Sequence, residues 1–578
     1  MEFAKTMTDR LQADLVITNG KVITVDKSFS IAQAVAVKDG RIVAVGTDER
    51  IKALAGRQTK AIDLDGKTML PGINDAHIHA MLYWGSRPPL VLDVGYPAVK
   101  SISDIVAAVG KKAREVRPGE WIRETGLNLD NLEECKKAPA RYPTRLDLDP
   151  VSPDNPVCLG VIPFTLGEHA AWLNTSALKR IGITRDTIPP PGCDIFKESA
   201  TGEPTGLLKG ALLDELVTRA IPGSTREQKR QALLTATKEL NSLGITSITE
   251  GALGPGGVDY QGGLWDAECI GVYNDLCNEG KLTVRVSILL LFTPYGSYFP
   301  KELYDGLKYL GIHSGFGNEW LRIAGVKLFA DGIPLNKTAW MYEEYVGGGS
   351  GKMVFTGETD DERRNELMNI ISYAHKLGYQ IGIHVTGDRA IDACIDGFVK
   401  AEQEEPRGLR HYLIHGDFVS AGAARRMAEY GIGISVQPAL TDIAVNFLPY
   451  SVGNERAAKY GSLRTIFDAG VHVAGGSDAP VTYPDWKLAV QSAVLRESAT
   501  AGEVAQRITV DEAIRMYTIE GAWQDRMENI KGSIEVGKLA DFCVLEEDIL
   551  TIEPDRIKDI RNLMTIIGGE IVYDAGIS

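Results

Sequence analysis

Cysteine is scarce and scattered. The seven thiols, Cys135, Cys158, Cys193, Cys269, Cys277, Cys394 and Cys543, include no Cys-x-x-Cys pair, which excludes both a disulfide framework and a thiolate zinc site. No apolar run is long enough to span a bilayer, and the opening Met1-Glu2-Phe3-Ala4-Lys5-Thr6 has no signal-peptide core. The expectation is a cytoplasmic protein with no membrane partner. Basic charge is also short. The net charge of −15 argues against nucleic acid as a partner. No Gly-x-Ser-x-Gly elbow is present, so a serine hydrolase is disfavoured. Internal repeats and low-complexity tracts are absent too. What remains is 578 residues, 44% hydrophobic and 24% charged, enough for one large α/β barrel and a smaller domain.

Both ends of the chain read as short strands. Leu15 to Val25 predicts a hairpin about Asn19-Gly20, and Ala34 to Gly46 predicts another about Asp39-Gly40. Near the other end, Ala540 to Leu545 reads as a strand, and Thr565 to Tyr573 as a hairpin about Gly568-Gly569. We expect residues 1–69 and 530–578 to form one discontinuous β-sandwich, with residues 70–529 as a separate domain within it.

The middle alternates apolar, β-branched runs with helical stretches, the pattern of parallel βα units. The runs are the segment of His77, then Ile245–Thr249, Val284–Leu290, Ile323–Phe329, Gln380–Val385, Tyr412–His415, Gly433–Gln437 and Val471–Asp478. Eight such strands close a TIM-type barrel. The fold expected is a distorted TIM (β/α)8 barrel carrying a small β-sandwich. A long insertion after the first barrel strand, at about residues 94 to 243, is expected to cover the barrel mouth.

Chemistry gathers at the C-terminal ends of these runs, where barrel enzymes place it. In Leu70-Pro71-Gly72-Ile73-Asn74-Asp75-Ala76-His77-Ile78-His79, the two histidines are two apart on a strand and face the same way. They fit half of a metal site, and equally a surface pair on an edge strand. His384 reads as a ligand or a core histidine, and Asp478 as a ligand or a helix N-cap ahead of Pro480. Lys327 lies inside Ile-Ala-Gly-Val-Lys-Leu-Phe-Ala, where an unpaired ammonium is costly. Burial favours the neutral amine, which can add carbon dioxide. The resulting carbamate is anionic and can bridge two cations.

With these pieces assembled, the chain resembles the amidohydrolase superfamily, in the branch of N-substituted formamide deformylases. The matching stretches are Pro71-Gly72 to His79, Val326 to Gly332, Ile383 to Ala390, Gly476 to Pro480, Gly532 to Asp541, and Gly167 to Asn174 in the insertion. The resemblance implies that His77, His79 and Asp478 hold one metal ion, that His384 and His415 hold a second, and that carboxylated Lys327 bridges them. One or two zinc ions are expected. A departure from the family pattern is Ile414, where relatives carry Glu before the sixth-strand histidine.

The implied activity is hydrolysis of a small N-substituted amide or formamide by a metal-activated hydroxide, with Asp478 moving the proton and His415 assisting. The alternatives are a deaminase, an esterase or a cyclic-amide hydrolase on the same fold; a non-enzymatic binding protein would be expected to lack a ligand. Substrate contacts are expected from His169, Trp84, Trp172, Trp340, Tyr342, Arg389 and Gln437, although the aromatics also suit packing of the insertion, and His169 a packing role. Arg389 could pair with Asp388 or Asp392. His375, on an expected surface helix, and His313, His411 and His472 read as structural or solvated. The partner expected is a small molecule, with a homodimer as the assembly.

Overall fold

The computed structural model describes residues 12–160, 170–189, 193–210, 217, 221–258, 262–294, 300–496 and 505–576. The chain divides into two compact units. One comprises residues 1–79, 234–256 and 273–578, the other residues 80–233 and 257–272. No helix among the described residues is long and apolar enough to cross a membrane.

The first unit contains the barrel. Its eight strands are Ile73–Ile78, Ile245–Leu253, Arg285–Leu290, Leu321–Phe329, Gln380–Val385, Tyr412–His415, Gly433–Val436 and Val473–Gly475. They neighbour one another in that order, and every pairing is parallel. Such strands are covered on both faces, which is why they read as continuous apolar runs; the second is buried at every residue. Just past the eighth strand, Asp478 N–H donates to His77 O at 2.8 Å and His79 N–H to Ala479 O at 2.9 Å. These bonds draw the last strand toward the first in a nearly closed barrel, at its C-terminal rim.

The sandwich belongs to the same unit. A four-stranded sheet orders Arg41–Gly46, Ala34–Lys38, Ala13–Thr18 and Ala55–Asp63, and a six-stranded sheet orders Glu570–Asp574, Asn562–Ile567, Phe542–Leu545, Thr68–Pro71, Lys21–Ile23 and Ile31–Ala32. Both chain ends therefore share the second sheet. Leu15, Val35 and Val37 from one sheet meet Met69, Phe542, Val544 and Met564 from the other in a single buried core. Asp39-Gly40 and Gly568-Gly569 have positive φ at both residues, as a two-residue hairpin turn requires.

The Asn19-Gly20 hairpin is a correction. Ala13–Thr18 pairs with Ala34–Lys38 and Ala55–Asp63, whereas Lys21–Ile23 pairs with Ile31–Ala32 and Thr68–Pro71. The turn is a corner between sheets. A Cβ on Gly20 would lie 2.4 Å from Leu64 Cδ1, so a larger residue there would push the buried Leu64 side chain aside.

The second unit begins directly after His79 and regains the chain at residues 257–272. Its antiparallel sheet orders Cys158–Leu159, Ala170–Leu173, Pro204–Gly210 and Cys193–Lys197. The helix Ile102–Glu115 starts on a capping box made by Ser101 and Asp104. Its buried residues Ile102, Ile105 and Val109 pack in one core with Trp172.

Candidate metal centre

The first strand delivers His77 and His79 to the rim, and Asp75 anchors that end. One Asp75 oxygen accepts the N–H groups of His77 at 3.2 Å and Ser477 at 3.0 Å, tying the first strand to the segment of Asp478. Burial pushes the Asp75 carboxyl up to about 7, against the hydrogen bonds from Ser477 and His77. Two glycines make room. A Cβ on Gly251 would sit 2.5 Å from His77 Cε1 and 2.7 Å from His79 Cε1, and one on Gly476 would sit 2.7 Å from His77 N.

Asp478 Oδ1 lies 3.4 Å from His77 Nε2 and 3.3 Å from His79 Nε2. The three residues are buried and offer donor atoms within 4.8 Å of one another. Burial alone would raise the Asp478 carboxyl, but the hydrogen bond from His79 and the charges of His415, His79 and Lys327 outweigh it, and the net shift is downward. Lys327 Nζ is 3.5 Å from His77 Nε2, and the residue is 1% exposed. Burial, only partly offset by Asp478, brings its pKa down from 10.5 to about 7. A neutral amine is the form that takes up carbon dioxide.

The fifth and sixth strands add His384 and His415. Register places His384 beside Ile414 and His415 beside Val385, so both stand at the C-terminal ends of their strands, and the positive φ of His415 departs from the alternation that would face the two side chains oppositely. Their ring centroids are 4.6 Å apart, and His415 is 5.8 Å from His77. Each ring has one nitrogen engaged: His384 Nε2 is 3.1 Å from Gly332 O, and His415 Nδ1 is 2.7 Å from Gln437 Oε1. Burial leads the downward pKa shifts of all four histidines; His415 falls to about 4. Neutral imidazoles are what a metal ion needs as ligands. His77 Nδ1 is buried without a hydrogen-bond partner.

The proposed substrate contacts fall differently. His169 lies outside the described residues. Trp172 is 0% exposed in the core of the second unit, its Nε1–H donated to Thr144 O at 2.8 Å, which makes it a packing residue. Trp84 is buried in the short helix Ala80–Gly85 and packs edge-on against Tyr83 at 4.5 Å. In the first unit, the Arg389 guanidinium stacks 4.1 Å over the buried Trp340 and pairs with Asp360 at 3.2 Å, not with Asp388 or Asp392. Those two carboxylates accept the N–H and hydroxyl of Tyr342, both at 2.9 Å; Tyr342 itself is 61% exposed. Gln437 and His415 line a cleft with Asp417, Thr441 and Tyr460.

Two features went unread in the sequence. Asp331 is buried and accepts the N–H groups of Trp340, Thr386 and Gly387 at 2.8 to 3.0 Å, fixing the turns after the fourth and fifth strands. Its place in Lys327-Leu328-Phe329-Ala330-Asp331 was the signal. His375 is not on a solvated face. It is 1% exposed and bonded to His411 Nε2 at 2.8 Å. His472 is structural, stacked on Trp523 at 3.9 Å and paired with Glu520 at 2.8 Å.

The amidohydrolase family model matches residues 60–573. The chain belongs to the amidohydrolase family. It is 30% identical over 571 residues to Protein LONG AFTER FAR-RED 3 of Arabidopsis thaliana, covering 97% of this chain and 92% of the relative. It is 27% identical over 568 residues to an N-substituted formamide deformylase of Arthrobacter pascens, covering 97% and 98%. The solved structure of an uncharacterized metal-dependent hydrolase from Pyrococcus furiosus superposes with a TM-score of 0.72 at 25% identity, over 93% of this chain and all (100%) of that one. This amidohydrolase is thus a hydrolase of carbon–nitrogen bonds on a metal-dependent scaffold. Its donor set fits a divalent cation: buried neutral imidazoles, one ionised carboxylate and a buried amine, converging from strand ends.

Proposed function

We propose that this amidohydrolase cleaves the C–N bond of a neutral amide or formamide bearing a bulky apolar N-substituent, releasing an amine and a carboxylic acid. The observation that carries the reading is the buried meeting of His77, His79 and Asp478, with Lys327 Nζ 3.5 Å from His77 Nε2. His77, His79 and Asp478 would hold one zinc ion and His384 and His415 a second, with Lys327 as its carbamate between them. A zinc ion held by these residues would supply Lewis acidity toward an acyl oxygen and toward water.

The chain's own groups do the rest. An Asp478 carboxylate oxygen accepts a proton from the attacking water and returns it to the departing nitrogen. With its pKa held down, Asp478 starts ionised at neutral pH. His415, neutral and fixed by Gln437, serves as a ligand. Arg389, the arginine within the matching motifs, is already committed to Asp360 and Trp340, so it does not stand ready for a substrate carboxylate. The small cleft beside His415 is lined by apolar groups, Val436, Leu440, Leu463 and Ile466, and by polar ones, Asp417, Thr441 and Tyr460. The deformylase among the relatives supports the same substrate class.

The test pairs metal analysis with a substrate panel. Purified protein should contain zinc and lose turnover with a chelator. Neutral aryl or benzyl amides and formamides should exceed N-acyl amino acids of similar size in kcat/KM. Full activity in metal-free protein, or a preference for the charged substrates, overturns the reading.

A further inference from the structure

We infer that Gln437 is a positioning residue: its side-chain carbonyl holds the His415 imidazole in the Nδ1–H tautomer and leaves Nε2 as the nitrogen available to a metal ion. The second half rests on reading His415 as a ligand, as proposed above; the first half stands on hydrogen-bond geometry alone.

Gln437 Oε1 lies 2.7 Å from His415 Nδ1. A carbonyl oxygen only accepts, so the ring nitrogen facing it must carry the proton. The orientation of the amide is fixed from its other side, where Nε2 donates to Ser435 O at 3.3 Å. A flipped amide would set two acceptors against each other at Ser435 O. The backbone of Gln437 is also constrained. It precedes Pro438, the first residue of the helix Pro438–Ala444, and its carbonyl accepts Thr441 N–H at 3.1 Å. On the other side, His415 is held at φ +74°, a conformation that β-carbon residues adopt only under local constraint. Its ring is packed against His384 at 4.6 Å. Both partners are therefore preset, and the bond between them needs no rearrangement. An imidazole whose second nitrogen is engaged in this way presents one defined lone pair, which raises metal affinity by orientation and tautomer together.

The alternative role for Gln437 is contact with the substrate, since it lines the cleft beside His415. The experiment separates the two. Full-length protein labelled with [15N]histidine is freed of metal, and His415 is assigned by the signal lost in His415→Gln. Wild type should show His415 as Nδ1–H. In Gln437→Leu that form should give way to a tautomer mixture, and zinc affinity, read by competition with a chromophoric chelator, should fall by about 10- to 100-fold. Gln437→Glu restores an acceptor and should return affinity close to wild type, an outcome that mere loss of packing would not produce. An Nε2–H tautomer in wild type overturns the inference even if no variant folds. So does a Gln437→Leu protein that binds zinc as wild type does but has a raised KM, because Gln437 would then touch substrate. If wild type shows the Nδ1–H form, and Gln437→Leu loses it, yet no zinc binds, the positioning of His415 is upheld and the metal reading is what fails.

Discussion

At the scale of single residues, Lys327 and Asp478 are separable by experiment. Lys327→Ala removes a group buried beside His77, and both metal content and activity should drop, turnover by at least about 100-fold. Short carboxylic acids should restore part of it by standing in for the carbamate. Asp478→Asn keeps an oxygen near His77 and His79, so some metal should remain while turnover falls by about 10²- to 10⁴-fold. Lys327→Ala with wild-type metal content and rate would remove the bridging role. A third residue ties pH to stability. His411 Nδ1 accepts Ile381 N–H at 3.0 Å, so its Nε2–H must donate to His375 Nδ1, and His375 Nε2–H then donates to Glu405 O at 2.7 Å. Burial, helped by His375, lowers the His411 pKa from 6.5 to about 3. The unfolded chain therefore binds the extra proton between these values. The contribution of His411 is complete above pH 6.5 and is lost as pH falls toward 3, at about 1.4 kcal/mol per pH unit. His411→Gln should flatten the pH dependence of the denaturation midpoint in that window, and an unchanged slope would contradict the assigned tautomers. The candidate ligands were legible in the sequence because each stands out against an apolar strand. The His375–His411 pair was not, since 36 residues separate its members and periodicity does not reveal a partner.

At the scale of elements, the barrel strands were legible and the turns between sheets were not. A strand covered on both faces declares itself as an unbroken apolar run, and the eight runs recur as eight strands. Asn19-Gly20 has the turn chemistry of a hairpin, but turn chemistry sets local φ and ψ, not which sheet receives the next strand. Two-residue strands such as Leu92–Asp93 and Glu124–Thr125 are too short to carry any period, which is why the edges of the second unit escaped the sequence. The second barrel strand provides an element-scale prediction. Gly251 faces His77 and His79, and a methyl there would lie 2.5 and 2.7 Å from their Cε1 atoms, inside van der Waals contact. Backbone strain is not the issue, since Gly251 is absent from the positive-φ glycines. Gly251→Ala should destabilise the fold by about 1–3 kcal/mol through overpacking and weaken metal binding by displacing both imidazoles. Gly66, which has open space around its Cβ position but a positive φ of 76°, is the control for backbone cost alone: Gly66→Ala should lower stability without altering metal affinity. Equal metal affinity in Gly251→Ala and wild type would show that the strand yields instead of the ligands.

At the scale of the molecule, one buried ion pair joins the barrel to the sandwich. Arg285 begins the third barrel strand, and Asp541 precedes the sandwich strand Phe542–Leu545. Arg285 Nε and a terminal nitrogen reach the two Asp541 oxygens at 2.7 and 2.9 Å. Gly568 N–H adds a third bond to the carboxylate at 2.8 Å, and Trp320 lies 4.4 Å beneath the guanidinium. The pair links positions 256 residues apart, a coupling that neither segment displays alone, although Ala540-Asp541 stood out as part of a recognisable tail. Desolvation makes the net worth of such a pair small, whereas removing one member leaves the other charged and buried. Asp541→Ala should therefore cost about 3–5 kcal/mol in chemical denaturation. The double variant Arg285→Met, Asp541→Leu should recover much of that loss, because no charge is left without a partner. Because Arg285 opens its strand, at the end opposite the rim that carries His384 and His415, kcat of the folded fraction should be unchanged in both variants. A double variant as unstable as Asp541→Ala would place the cost in lost packing and backbone bonding instead of the orphaned charge, and a fall in kcat at full folding would mean that the junction of barrel and sandwich reaches the metal centre.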